Sequence, residues 1–484
     1  MERASHGYDG SVGYSYGFYR EMAPSWLDLC ALAAGQAPPR SDEGAPFRYL
    51  ELGAGQGFGL CLLAAANPAG EFVGVDFHPD HIAHAQGLAA AAGLTNLRFY
   101  AADFVALAAD WPADFGTFDY VALHGVYSWV PSEVRAAVVR CLAHATHAGS
   151  LVYASYNAQP GWLGTMPFQH ISRLIKETSG AAGEAVFAQS IGLFDRLRAG
   201  GAATFQILPG LKARLDSVKT RSLGYLVQEY LHESWNPLWH SQVAGELAGA
   251  GLGYAGSATL AETMLPHALP PPLRAAVAEQ ADPRLRQDVQ DFVVNQSFRR
   301  DLFVRGGAGP GARDLAAIGR VRLVLLDRPK AGGTITLETA FGEIGLQYPA
   351  FAQVVEALAA GPKAIAELAD LPDMRRQGMA NAVQILLLLL HAGTLAVAGA
   401  SARSEGAARL NAAIARGAGE GLAYGHIAAP AIGSAVAASE ADLLLLDAWL
   451  APTDAPRQDN AAFRELTLPH TGGRSGRSTK PGLA

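Results

Sequence analysis

One stretch limits this chain more than any other: Glu51-Leu52-Gly53-Ala54-Gly55-Gln56-Gly57. It closes the short apolar run 47–52 and opens the helical stretch 60–66, which Asn67-Pro68 ends. Glycines between a strand and a helix let the backbone approach a ligand closely. The pattern then repeats. Residues 72–76, 97–100, 118–123 and 150–154 read as strands, and 81–92 reads as a helix stopped by Gly93. Such alternation predicts an α/β fold with a parallel sheet. Ligands of such sheets bind outside the carboxyl ends of the strands.

The spacing of the glycines excludes one ligand class. The dinucleotide fingerprint GxGxxG fails at Phe58 when counted from Gly53 and at Leu60 when counted from Gly55. Nicotinamide binding is therefore disfavoured. An acid leading into GxGxG, with Asp76 after the second strand and Ala102-Asp103-Phe104 after the third, resembles the class I S-adenosylmethionine (SAM) methyltransferases. The resemblance implies a Rossmann-like catalytic domain in which the glycine loop holds the methionine end of SAM. It gives Asp76 the ribose hydroxyls, Asp103 the adenine amine and Phe104 the ring. A carboxylate suits the ribose because it accepts and never donates. Glu51, Gly53, Gly55, Gly57, Phe77 and His124 complete the implied cofactor set.

Two aromatic clusters follow the fourth and fifth strands. They are His124-Gly125-Val126-Tyr127-Ser128-Trp129-Val130-Pro131 and Ser155-Tyr156-Asn157-Ala158-Gln159-Pro160-Gly161-Trp162. Methyl transfer from a sulfonium is mostly a matter of positioning, and an amine acceptor must first lose its proton. Aromatic faces cradle a cationic head. Tyr127, Tyr156 and His124 are the expected catalytic residues. Tyr127, Trp129, Tyr156, Asn157 and Trp162 are the expected acceptor contacts, with packing beneath the next helix as the alternative for each aromatic. The [DN]PP[YF] motif of amino-methyltransferases is absent at strand four. Tyr8, Tyr14, Tyr16 and Phe18 precede the first strand. They form either a lid, with Tyr8 and Tyr14 on the cofactor, or a disordered start before a packing helix.

Further motifs narrow the resemblance. They are Tyr8-Asp9, Glu229-Tyr230-Leu231, Asn236-Pro237-Leu238-Trp239 and Asp291 through Arg299. The chain is similar to bacterial methyltransferases with a methyltransferase regulatory domain, including outer-membrane-protein lysine methyltransferases. It departs from them at Gln228 and Gln296, where those proteins often carry His and Arg. Glu229, Tyr230, Arg299 and Arg300 read better as polar packing at a domain interface than as substrate contacts. Asp291 and Arg299 are eight residues apart and able to share a helix face, or to pair elsewhere.

The length of 484 residues suggests about three domains. The expected division is a SAM-binding domain over 1–165, a mostly helical middle domain over 166–305, a winged-helix-like domain over 312–455 and a disordered tail over 456–484. The net charge is −7. Residues 341–400 carry three basic and five acidic side chains. Neither figure fits a nucleic-acid partner. Cys30, Cys61 and Cys141 form no CxxC pair, and no metal site is expected. The longest apolar run, 385–390, is too short to cross a bilayer. The cytoplasm is the expected compartment. The resemblance implies methyl transfer to a protein, with lysine as the acceptor. A small-molecule O- or N-methyltransferase and a non-catalytic SAM-binding regulator are the alternatives.

Overall fold

The computed structural model describes residues 16–450, apart from 41, 43, 182, 220–225, 227–229, 233, 265–267 and 308–313. Tyr8, Asp9, Tyr14, Gln228, Glu229 and the tail 456–484 therefore lie outside the described residues.

α1 (Pro24–Ala33) begins with proline at its first helical position, where a missing N–H costs nothing. β1 (Phe47–Leu52) then leads through the glycine loop into α2 (Phe58–Ala66). β2 (Gly70–Asp76), α3 (Pro79–Ala91), β3 (Leu97–Ala101), α4 (Phe104–Ala109), β4 (Phe118–Leu123), α5 (Ser132–Ala145) and β5 (Thr146–Asn157) follow. The central strands are buried on both faces, which is why each reads as a nearly unbroken apolar run. Phe47, Tyr49 and Tyr120 pack on one side with α1, α2 and α3. Leu50, Leu52 and Val121 pack on the other with α4 and α5.

The sheet has seven strands in the order β3-β2-β1-β4-β5-β7-β6. β1 to β5 run parallel. β7 (Phe298–Arg305) is antiparallel to β5, and β6 (Leu252–Ser257) is antiparallel to β7. The expected Rossmann-like α/β sheet is thus present. The order reverses between β1 and β4, which opens the crevice where such sheets bind ligands.

The region 166–305 is not helical throughout. α6 (Met166–Ser179) and three further helices through Val218 have their own small core of Phe168, Phe187, Phe194 and Leu215. The chain then returns to the sheet through the helix His240–Ala248, whose Val243 and Leu247 cover the α5 side. β6 and β7 complete the sheet edge. Burial of β7 between two strands outweighs its charged sequence because Arg299 and Asp301 neutralise each other.

Residues 315–450 build a second unit. Arg322–Leu325 pairs antiparallel with Lys363–Ala364 and with Leu395–Val397. Helices Ala352–Ala359, Ile365–Ala369, Pro372–Arg376 and Met379–His391 lie between these strands in sequence. Leu386 through Leu390 are all buried, so the apolar run is core. The helix Glu405–Gly419 and the hairpin His426–Ala429/Ser434–Ala437 pack on α2. No helix among the described residues is long and apolar enough to cross a membrane.

Candidate active site

The glycine loop is folded by its own sterics. Gly53 and Gly57 have φ of +84° and +69°, a region that L side chains rarely adopt. A Cβ on Gly53 would lie 2.4 Å from Val126 Cγ2, and one on Gly57 2.3 Å from Ala85 Cβ. The Gly53 and Ala54 amides donate to the Val75 carbonyl, which ties the loop to β2.

Asp76 sits where that tie ends. Its Oδ2 accepts from the Gly55 amide at 2.9 Å and its Oδ1 from the His78 amide at 2.9 Å. Both bonds fix the carboxylate at the β2 tip, and each oxygen keeps a further lone pair for a diol. Glu51 is buried beside it and makes no side-chain hydrogen bond among the described residues. Burial, reinforced by the Asp76 charge, pushes the Glu51 carboxyl up to about 8. A close-approach loop, a fixed acceptor for a diol and a buried acid lacking a cation match the parts of SAM. The residues present fit that cofactor.

The other expected cofactor residues divide. Phe77 is half-buried next to His78. Asp103 caps α4, its Oδ1 accepting from the Val105 and Ala106 amides. Phe104 turns into the interior with Leu107 and Val121 rather than outward.

His124 follows β4 and is buried. Its ring stacks on Tyr19 with centroids 3.5 Å apart. Its Nδ1 lies 2.9 Å from the Tyr153 hydroxyl and 3.2 Å from Ser155 Oγ. Ser155 Oγ also accepts from the Gly125 amide. Nε2 is buried and has no hydrogen-bond partner among the described residues. Burial, and then the Arg300 charge, hold the imidazole pKa well below its usual value. The ring is neutral at physiological pH.

Alternation along β5 sorts the remaining candidates by face. Tyr153, Ser155 and Asn157 share the His124 side, opposite Leu302, Arg300 and Phe298 of β7. The Phe298 ring is 6.1 Å from His124. Both carboxamide atoms of Asn157 are buried without a partner. Tyr156 points to the opposite face and donates to Asp301 Oδ2 at 2.5 Å. Asp301 also meets His240 and Arg299, each at 3.0 Å. Arg299 reaches Asp291 at 2.5 Å, so the eight-residue pair does form. Tyr127 packs on that same opposite side and donates to Glu246 Oε2 at 2.6 Å. The structure therefore does not bring either tyrosine hydroxyl to His124. Both are engaged by buried or half-buried carboxylates on the other face.

Trp129, Trp162 and Trp235 form an aromatic wall beyond the β5 tip. Trp235 lies 6.4 Å from Trp129 and 5.0 Å from Trp162. The Trp162 N–H is held by the Ser297 carbonyl, and Arg214 lies over its ring. Sequence reasoning missed Tyr19, Tyr153 and Trp235, and it placed Ser155 in the strand-five cluster without a role. For Tyr153 the period-two alternation with Ser155 and Asn157 was the available signal.

Comparisons with known proteins follow this geometry. A family model described as "Methyltransferase domain" matches residues 45–178. A second, "Predicted methyltransferase regulatory domain", matches residues 222–305. An uncharacterized protein of Synechocystis sp. is 33% identical over 367 residues, covering 75% of this chain and 71% of that protein. An uncharacterized protein of Rickettsia prowazekii is 26% identical over 304 residues, which is 62% of this chain and 53% of that one. The structure of PKMT2 from Rickettsia typhi in complex with AdoHcy aligns with a TM-score of 0.69 at 18% identity, covering 90% of this chain and 88% of that chain. That likeness concerns the fold. The chain belongs to the class I SAM-dependent methyltransferases that carry a methyltransferase regulatory domain.

Proposed function

We propose that this chain transfers a methyl group from SAM to a protein, with a lysine side-chain amine as the acceptor. One observation carries the reading: His124 Nε2 and the Asn157 carboxamide, buried and without hydrogen-bond partners among the described residues, share one side of the sheet. Buried polar atoms without partners are costly unless a ligand satisfies them.

The Gly53–Gly57 loop, Glu51 and Asp76 would hold the donor, with Phe77 and Asp103 at the nucleoside end. When bound, SAM supplies an electrophilic methyl group on a positive sulfur. The chain's own residues do the rest by placement. With its Nδ1 proton donated to Tyr153 or Ser155, the neutral His124 presents a lone pair at Nε2 that accepts a hydrogen bond from the acceptor amine in its neutral form. The Asn157 carbonyl accepts from the amine and orients it. Of the three tryptophans, Trp129 is the partly exposed one and offers an aromatic surface to a cationic side chain, while Trp162, already covered by Arg214, and Trp235 pack behind it. Tyr127 and Tyr156 support this arrangement from the other face. AdoHcy in the PKMT2 complex supports the donor assignment.

Labelling with tritiated SAM tests the acceptor. Purified protein is incubated with cell lysate separated into macromolecules and small molecules. Label is expected in an acid-precipitable, protease-sensitive band, with mass spectrometry placing the methyl on lysine. Label only among small molecules would move the activity to metabolites. SAM binding without any transfer would favour a cofactor-binding regulator.

A further inference from the structure

The glycine loop is held from behind by a residue from the far end of the described chain. The carbonyl of Gln56, in the middle of the loop, accepts from His84 Nδ1 of α3 at 2.8 Å. That bond leaves Nε2 of a neutral imidazole as an acceptor. The Tyr424 hydroxyl lies 2.9 Å from Nε2 and is oriented to donate to it. Tyr424 precedes the His426–Ala429 strand of the second unit and is itself buried. Its ring stacks flat on Phe58, the first residue of α2, with centroids 4.8 Å apart and planes within 5°. Tyr16 closes the cluster, 4.7 Å from Tyr424 and 5.0 Å from His84.

The position of this chain of contacts gives it its meaning. Gln56 lies between Gly55 and Gly57, both at positive φ. Its peptide is the part of the loop freest to rotate, because glycine permits either sign of φ. Gly55 is tied on one side by Asp76. The Gln56 carbonyl is tied on the other by His84, and His84 by Tyr424. Removing the last tie leaves the Rossmann-like sheet whole and frees one peptide of the cofactor loop.

We propose that Tyr424, acting through His84, is a positioning residue for the cofactor loop, so that docking of the second unit sets the affinity for SAM. This rests on the reading that the loop binds SAM. The second unit thereby touches the donor end of the reaction and not the acceptor end. Its lever is one hydroxyl: the stacked ring serves packing, and the O–H serves the loop.

The test uses the full chain and the Tyr424→Phe variant, which keeps the stacked ring and deletes only the hydroxyl. Titration calorimetry gives Kd for SAM, and labelled turnover gives KM for the acceptor. Tyr424→Phe is expected to weaken SAM binding roughly five- to tenfold, the scale of one buried hydrogen bond. KM for the acceptor stays within about twofold of wild type on this scheme, since the β4 and β5 tips are untouched. His84→Asn, which retains a donor toward Gln56 and drops the link to Tyr424, is expected to match Tyr424→Phe. A SAM Kd within about twofold of wild type in both variants would overturn the inference while leaving the functional reading intact. Equal losses in donor and acceptor steps would also overturn it, by reducing Tyr424 to general packing. Failure of wild-type protein to bind SAM would instead overturn the functional reading, and this inference with it.

Discussion

At the scale of single residues, Glu51 has the most measurable behaviour. Its carboxyl sits near 8 because burial and then Asp76 disfavour its charge. The native pKa is the higher one, so the folded chain binds an extra proton between about 4.5 and 8. The stability contribution of this group is present at low pH and is lost as pH rises through that window. A cationic donor reverses the preference and favours the carboxylate. SAM binding should therefore release a proton below pH 8 and weaken as pH falls toward 6, by up to about tenfold per unit. Calorimetry in two buffers of different ionisation enthalpy measures the released proton. Glu51→Gln should flatten the profile, and a flat wild-type profile would remove Glu51 from the cofactor site. The glycine loop was legible from local spacing, and the resemblance to class I methyltransferases singled out the acid before it. Tyr19 over His124 was not, because that stack joins residues from α1's approach and the end of β4.

Among the elements, β7 shows where sequence periodicity stops being informative. β1, β2 and β4 announce themselves because both faces are largely buried and most positions are apolar, whereas the edge strand β3 shows buried and exposed positions in alternation. Phe298–Arg305 carries Arg299, Arg300 and Asp301 in succession and hides its place in the sheet. The Arg299 and Asp301 charges are satisfied by Asp291 and Gln287, eight and twelve residues before Arg299, and by His240 and Tyr156, much farther away in sequence. Burial drives the Asp301 carboxyl upward, but Arg299 and His240 hold it down at about 2. Arg299→Ala would leave two carboxylates buried without their cation, at a cost of about 3–5 kcal/mol. Denaturant titration should show that loss as a lower midpoint, whereas a change under about 1 kcal/mol would mean that the network is dispensable. The two tyrosines expected at the chemistry illustrate the same limit. Their type and location were legible, but the face they occupy depends on register.

Across the whole molecule, the second unit and the sheet share one apolar cluster. Leu60 and Tyr49 belong to it together with Leu386, Leu410 and Ala428. Polar ties cross the same boundary. Arg20 donates to the carbonyls of Leu390 and His391, Asn67 to that of Gly433, and Arg409 to that of Ala92. A continuous core predicts that sheet and second unit unfold together, so scanning calorimetry should show one transition. Two resolved transitions would mean that the units are independently stable. The second unit showed its apolar run 385–390 in the sequence, but not the helix Glu405–Gly419 and the hairpin that follow. Its seat on α2 was not legible, because that contact joins residues more than 300 positions apart.

The Tyr424 contact has a consequence for biosynthesis. A ribosome delivers the sheet strands β1 to β5 long before it reaches residue 424. By then, all but the closing clasp of the cofactor loop has left the exit tunnel. A nascent chain that has not yet reached residue 424 thus carries a loop that has not been fastened, and under the proposed scheme the full affinity for SAM arrives only after that ring has emerged and docked.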